Sequence, residues 1–189
     1  SYNLKTSDLR NFLISLKYLK LSKERYYLVE NYIYESVSKI KFSPEQLKNK
    51  IQEQEKLGLD AELLILSYEK DILRKESIDL KPSHISIEDT SAGYDIESYR
   101  KKKKEILKIF IEVKAVRLSD YRFYLSSGEY EFSLNNRDSY YIYLLPVDKS
   151  NENGFDLDKL LIIKNPKENV FNNKLQWNIE KNNYIINRK

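Results

Sequence analysis

Residues Ile109-Phe110-Ile111-Glu112-Val113-Lys114-Ala115-Val116 set a carboxylate and an amine two positions apart in an otherwise apolar run. If this run is a strand, Ile109, Ile111, Val113 and Ala115 face one way, and Phe110, Glu112, Lys114 and Val116 face the other. The first face is core. The second holds two charges among apolar neighbours, and unpartnered burial of such groups costs several kcal/mol, so the pair needs a reason. Asp95 supplies a third member if the basic segment between them turns and lays Tyr94-Asp95-Ile96-Glu97-Ser98 beside the Glu-x-Lys strand as an antiparallel hairpin. Two carboxylates on neighbouring strands suit a hard divalent cation, and the chemistry that needs this set is phosphodiester hydrolysis. In that reading Asp95, Glu112 and the main-chain carbonyl of Val113 hold one or two magnesium ions, with manganese able to substitute. Lys114 orients the attacking water or stabilises developing negative charge. Glu62, at the edge of its helix, adds a ligand or ties down a coordinated water.

Composition narrows the alternatives. The chain has 189 residues, enough for one ordinary domain and a small appendage. Its 33 basic and 29 acidic side chains leave a net charge of +4, a weak argument for a polyanionic partner. There is no cysteine and a single histidine, His84, so disulfides and a zinc site of the usual ligands are excluded, and any metal is held by oxygen. No apolar run reaches membrane-spanning length and no leader is recognisable, so a soluble, cytoplasmic protein is expected. The chain starts at Ser1 and lacks methionine, so either an initiator was trimmed or this is a piece of a longer protein, and a fragment is the expectation.

The elements that must position these residues follow from periodicity. Leu9, Phe12, Leu13, Leu16 and Leu19 predict an amphipathic helix over 6–20, capped by Thr6-Ser7. A second helix is expected from near Ser22 to about Ile40, with Tyr26, Tyr27, Tyr32 and Ile33 on a broad aromatic face that reads as packing rather than DNA recognition. Ser43-Pro44-Glu45-Gln46 is a helix-start signal, Gly58 an interruption, and Asp60 the cap of a new helix whose stripe is Ala61, Leu64, Ile65, Tyr68 and Ile72. From about residue 83 the texture becomes that of strands. They are expected at 84–88, 94–99, 107–116, 122–125, 140–147, 160–164, 175–179 and 184–186, with a short helix opening near Ser126 or Ser127. The expected fold is α/β of the α+β kind, a mixed central sheet flanked by helices. Residues 1–42 form an N-terminal helical appendage and 43–189 the main domain.

The phrases GYDIES and IEVKAV together resemble the PD-(D/E)XK nuclease superfamily, whose pattern is an Asp, a spacer, then Glu-x-Lys on the next strand. Within it the chain is most similar to the NO VEIN C-terminal family, often found at the ends of restriction and defence proteins. GLDAELLILSYEKDIL, FYLSSGEY, YYIYLLPV and IIKNP resemble further family segments in the family's order, over about residues 55–166. The resemblance implies a restriction-endonuclease-like fold, catalytic roles for Asp95, Glu112 and Lys114, and a match of Glu62 to the family's helix acid. Glu129 matches another recurrent acid, without a role. The chain departs from the family between the two strands, where YRKKKKEI replaces a glycine turn and implies a longer loop.

Blander readings compete. A bare Glu-x-Lys is ordinarily a solvated ion pair, and only its apolar flanks and the upstream Gly-Tyr-Asp turn it toward function. Lys101, Lys102, Lys103 and Lys104 read first as a solvated hairpin tip and second as a contact to a phosphate backbone. Glu62 is equally an outward helix edge, His84 reads as a strand residue away from the site, and Trp177 reads as packing. The expectation is a magnesium-dependent DNA endonuclease domain, the cleavage module of a restriction or anti-phage protein, acting as a homodimer or within a larger complex. The competing expectations are a catalytically inactive nucleic-acid-binding or assembly module, and a nuclease acting on RNA or single strands.

Overall fold

The computed structural model describes residues 19–22, 25–28, 44–89, 91–180 and 185–188. Near the N-terminus it has two short strands, β1 (Leu19–Ser22) and β2 (Arg25–Leu28), paired antiparallel. This corrects the helical expectation there: Leu-Lys-Leu-Ser and Arg-Tyr-Tyr-Leu are too short to decide between helix and strand periods, and tyrosines favour a pleated surface. The rest of the expected N-terminal helices, and the Ser43 cap, lie outside the described residues.

Helix α1 (Pro44–Lys75) is unbroken through Gly58 and Asp60, against the expected interruption. A helical glycine costs only about 1 kcal/mol relative to alanine, and Ala61 and Ile65, fully buried just beyond it, anchor the helix on the sheet. Next come β3 (Ser83–His84), β4 (Ile96–Lys102), β5 (Glu105–Val116), β6 (Phe123–Tyr124), α2 (Ser127–Asn135), β7 (Tyr140–Pro146), β8 (Leu161–Lys164), β9 (Trp177–Glu180) and β10 (Ile185–Arg188). The strand expected at 84–88 shortens to its first residue because the chain turns at once, Glu88 N–H donating to the Ile85 carbonyl at 2.9 Å.

Five strands form a mixed sheet in the order β3-β4-β5-β7-β8. Only the β5–β7 pair is parallel; the other three are antiparallel. The fold is therefore the α+β mixed sheet expected. A separate three-stranded sheet runs β6-β10-β9. Alternation along β5 sorts the core as the sequence requires. Ile109, Ile111 and Val113 pack with Ala61 and Ile65 of α1, whereas Phe110 and Val116 belong to the cluster on the opposite face with Phe132 of α2.

The β4–β5 hairpin has no long loop. Lys102 pairs with Glu105, and only Lys103 and Lys104 turn, with Lys103 at φ 57°. Lys101 and Lys102, expected in the loop, are strand residues paired with Ile106 and Glu105. Residues 105–109 of β5 lie outside its pairing with β7, so the end of the hairpin projects as a two-stranded ribbon.

One buried network fixes α1 against the sheet. Glu69, wholly buried, accepts from Ser98 Oγ at 2.7 Å, from Arg100 Nη1 and Nη2 at 2.7 and 2.6 Å, and from Tyr143 OH at 2.8 Å. A buried carboxylate with every lone pair engaged sets the helix's rotation and height, two turns after Glu62 on the same face.

Candidate active site

Asp95 stands one residue before β4. Its main-chain N–H donates to the Ile111 carbonyl at 2.9 Å, and the register that pairs Ile96 with Ile111 sets it opposite Glu112. Its side chain turns onto β5, where Oδ2 accepts the Val113 N–H at 2.8 Å. Gly93 makes this entry possible. It sits at φ +81°, and a Cβ there would come within 3.0 Å of Phe132 Cβ. Its carbonyl accepts from Tyr140 OH at 3.0 Å. Beneath, Tyr94, Phe110 and Phe132 stack with centroids 4.8 to 5.2 Å apart, an aromatic floor between the sheet and α2.

The structure thus brings Asp95, Glu112 and Lys114 together. Asp95 and Glu112 are buried, and Lys114 is partly exposed. Lys114 Nζ lies 2.5 Å from Glu112 Oε1 and 3.1 Å from Glu129 Oε2. Glu129 is placed by the start of α2. Ser126 Oγ accepts the Glu129 N–H at 3.2 Å while Glu129 Oε2 accepts the Ser126 N–H at 2.9 Å, a reciprocal cap. The fit of Ser-x-x-Glu to a capping box was the available signal, and it leaves Glu129 over the Glu-x-Lys pair.

Glu62 reaches the same neighbourhood through β3. Its Oε2 is 2.6 Å from His84 Nε2 and accepts from Ser86 Oγ at 2.5 Å. The main-chain N–H groups of Ile85 and Ser86 donate to the Asp95 carbonyl at 2.8 and 3.2 Å, so β3 and the residues after it clasp Asp95. His84, read from sequence as remote, is therefore one hydrogen bond from a candidate acid. Nothing in its flanking residues announces this, since the approach of α1 to β3 brings Glu62 and His84 together from 22 positions apart. Lys101, Lys102, Lys103 and Lys104 are exposed at the far end of β4 from Asp95, about 23 Å away at about 3.3 Å per strand residue.

The electrostatics are those of an over-charged anionic pocket. Burial, then the Glu62 charge, push Asp95 up to about 8, although Lys114 and the Val113 N–H pull it down. Burial likewise raises Glu112 well above the ordinary carboxylate range, with Asp95 and Glu129 adding repulsion. Burial on its own would lower Lys114, but Glu112, Glu129 and Asp95 outweigh it and hold the ammonium well above its usual value. One ammonium faces three carboxylates. Among the described residues no three His, Cys, Asp or Glu side chains are disposed to hold a metal ion. The donor set is two buried carboxyl groups, Asp95 and Glu112, all oxygen, and that chemistry fits a hard divalent cation.

The sequence pattern of the family described as Protein NO VEIN, C-terminal, matches residues 61–157, which include Glu62, His84, Asp95, Glu112, Lys114 and Glu129. IIKNP, at residues 162–166, lies beyond that match. No curated protein is recognisably similar in sequence. Among solved structures, a nuclease from a fusselovirus aligns with a TM-score of 0.41 and 16% identity, covering 68% of this chain and 81% of that one. No described helix is long and apolar enough to cross a membrane.

Proposed function

The chain belongs to the NO VEIN C-terminal family, and from that footing we propose that it is a divalent-metal-dependent endonuclease domain hydrolysing phosphodiester bonds of DNA. The observation that carries the reading is the pair of buried carboxylates, Asp95 and Glu112, set opposite each other across β4 and β5 with Lys114 beside them.

Asp95, Glu112 and the Val113 carbonyl would hold magnesium, or manganese in its place. Bound there, the cation would neutralise charge on the scissile phosphate and make a water more acidic. The protein's own groups do the rest. The Val113 N–H fixes the Asp95 carboxylate. Lys114 is held protonated by the acids around it, so it serves as a donor and positive charge beside the phosphate, not as a base. Glu129 keeps that ammonium aimed while leaving it partly exposed. The aromatic floor of Tyr94, Phe110 and Phe132 excludes water from one side, which strengthens each of these interactions.

The host context we propose is a restriction or anti-phage protein in the cytoplasm, with two copies or a larger assembly supplying the second cut in a duplex. The test is cleavage of supercoiled plasmid by purified protein in magnesium, manganese or chelator. Cleavage by the parent but not by Asp95→Ala or Lys114→Ala, each still folded, is the expected result. Equal cutting by both variants, or binding without cleavage in every metal, rejects it. Competition with RNA and single-stranded DNA identifies the preferred polymer.

A further inference from the structure

His84 is the only histidine in the chain, and its side chain is 8% exposed. Hydrogen-bond counting assigns one of its protons. The Ser86 hydroxyl has a single proton, which it donates to Glu62 Oε2 at 2.5 Å, so at 3.0 Å from His84 Nε2 its oxygen can only accept. The Glu62 carboxylate also only accepts. Nε2 therefore carries a hydrogen shared between Glu62 and Ser86, and the ring faces Glu62 as a donor. On the other side of the ring Nδ1 is buried and has no hydrogen-bond partner among the described residues.

That combination is costly for the fold. A buried ring nitrogen left without a hydrogen bond destabilises the fold, and a leucine of similar bulk would not incur that loss. Glu62 does not need His84 to avoid being orphaned either, because Ser86 already donates to it. The expense is understandable if the orientation of Glu62 matters. Both bonds fall on Oε2, which pins the carboxylate in one rotamer against Ser86, the residue whose main-chain N–H donates to the Asp95 carbonyl at 3.2 Å.

We propose that His84 is a positioning residue: together with Ser86 it fixes Glu62 beside Asp95, and so sets the affinity of the Asp95–Glu112 pair for a divalent cation. The proposal rests on the cation site described above. It assigns His84 no contact with substrate. It predicts that the Nε2–H donor is what matters, and that Nδ1 is dispensable.

The test measures cation binding directly, by Mn2+ titration followed by electron paramagnetic resonance and by Tb3+ luminescence, without substrate, alongside thermal melts in chelator. His84→Leu is expected to bind Mn2+ about 10- to 100-fold more weakly, the range for removing outer-shell support of a metal ligand. Its melting temperature should equal or exceed the parent's, a result that a merely structural histidine would not give. His84→Gln, whose amide can donate from nearly the Nε2 position, should restore binding to within a few-fold, whereas His84→Asn, one bond shorter, should not. If His84→Leu does not fold, the Gln and Asn pair decides the matter in its place. Parental Mn2+ affinity in His84→Leu or His84→Asn overturns the proposal, as does a failure of Gln to outperform Asn. If the parent itself binds neither ion, the cation site is wrong, and this proposal goes with it.

Discussion

Glu129 holds the Lys114 ammonium at 3.1 Å with Oε2, the same oxygen that accepts the Ser126 main-chain N–H at 2.9 Å. A single carboxylate thereby links the start of α2 to the Glu-x-Lys strand. Removing it separates two effects. Glu129→Ala should lose one arm of the cap, worth about 1 kcal/mol, and also free Lys114 to swing onto Glu112 alone. Glu129→Gln keeps an oxygen for the Ser126 N–H, so it should melt near the parent yet cleave plasmid more slowly, by about tenfold or more. Melting curves and initial cleavage rates on the two variants check this; equal rates in parent and Gln variant would remove Glu129 from the site.

The raised Asp95 predicts an unusual pH dependence in chelator. Its folded value of about 8 lies above the ordinary 3.8, so the folded protein binds this proton more tightly than the unfolded chain does. With respect to this group, stability is greatest below about pH 4, falls as pH rises toward 8, and levels off above it. Asp95→Asn should flatten the decline and be the more stable protein at pH 8. Urea midpoints from pH 5 to 9 measure it; a parent that grows more stable over that range contradicts the burial-dominated picture.

Glu69 and Arg100 form a buried ion pair with Tyr143 and Ser98 completing it. Breaking one partner leaves an uncompensated buried charge, so Arg100→Leu and Glu69→Ala should each cost about 3–5 kcal/mol. A double replacement by apolar residues should cost clearly less than the sum. Chemical denaturation of the three variants gives the coupling directly, and simple additivity would argue that the network is not cooperative.

The ribbon carrying Lys101, Lys102, Lys103 and Lys104 stands about 23 Å from Asp95 at about 3.3 Å per residue, too far to touch a phosphate at the site but within reach of a duplex running past it. Lys103→Glu with Lys104→Glu should weaken DNA binding and reduce the slope of log affinity against log salt by about 0.9 for each phosphate the lysines no longer neutralise. Cleavage at saturating DNA should change little. An unchanged slope would leave the tip as a solvated turn.

What the sequence determined by itself was whatever depends on local period and short-range chemistry. Alternation in Ile109–Val116 fixed which side chains meet α1 and which meet the site, and Ser126-x-x-Glu129 fixed the start of α2. The late strands were legible for the same reason. Local signals misled where several weak preferences compete, as at Gly58, where burial of Ala61 and Ile65 keeps the helix whole, and at β1 and β2. Only tertiary structure decided the partnership of residues far apart in the chain. Glu62 meets His84 and Ser86, Glu69 meets Arg100, and Glu129 meets Lys114, because helix rotation and strand register bring them to one place. Register is set by the sum of packing along a whole strand, so no single residue carries it, and a side chain's partner across the sheet cannot be read from its neighbours in sequence.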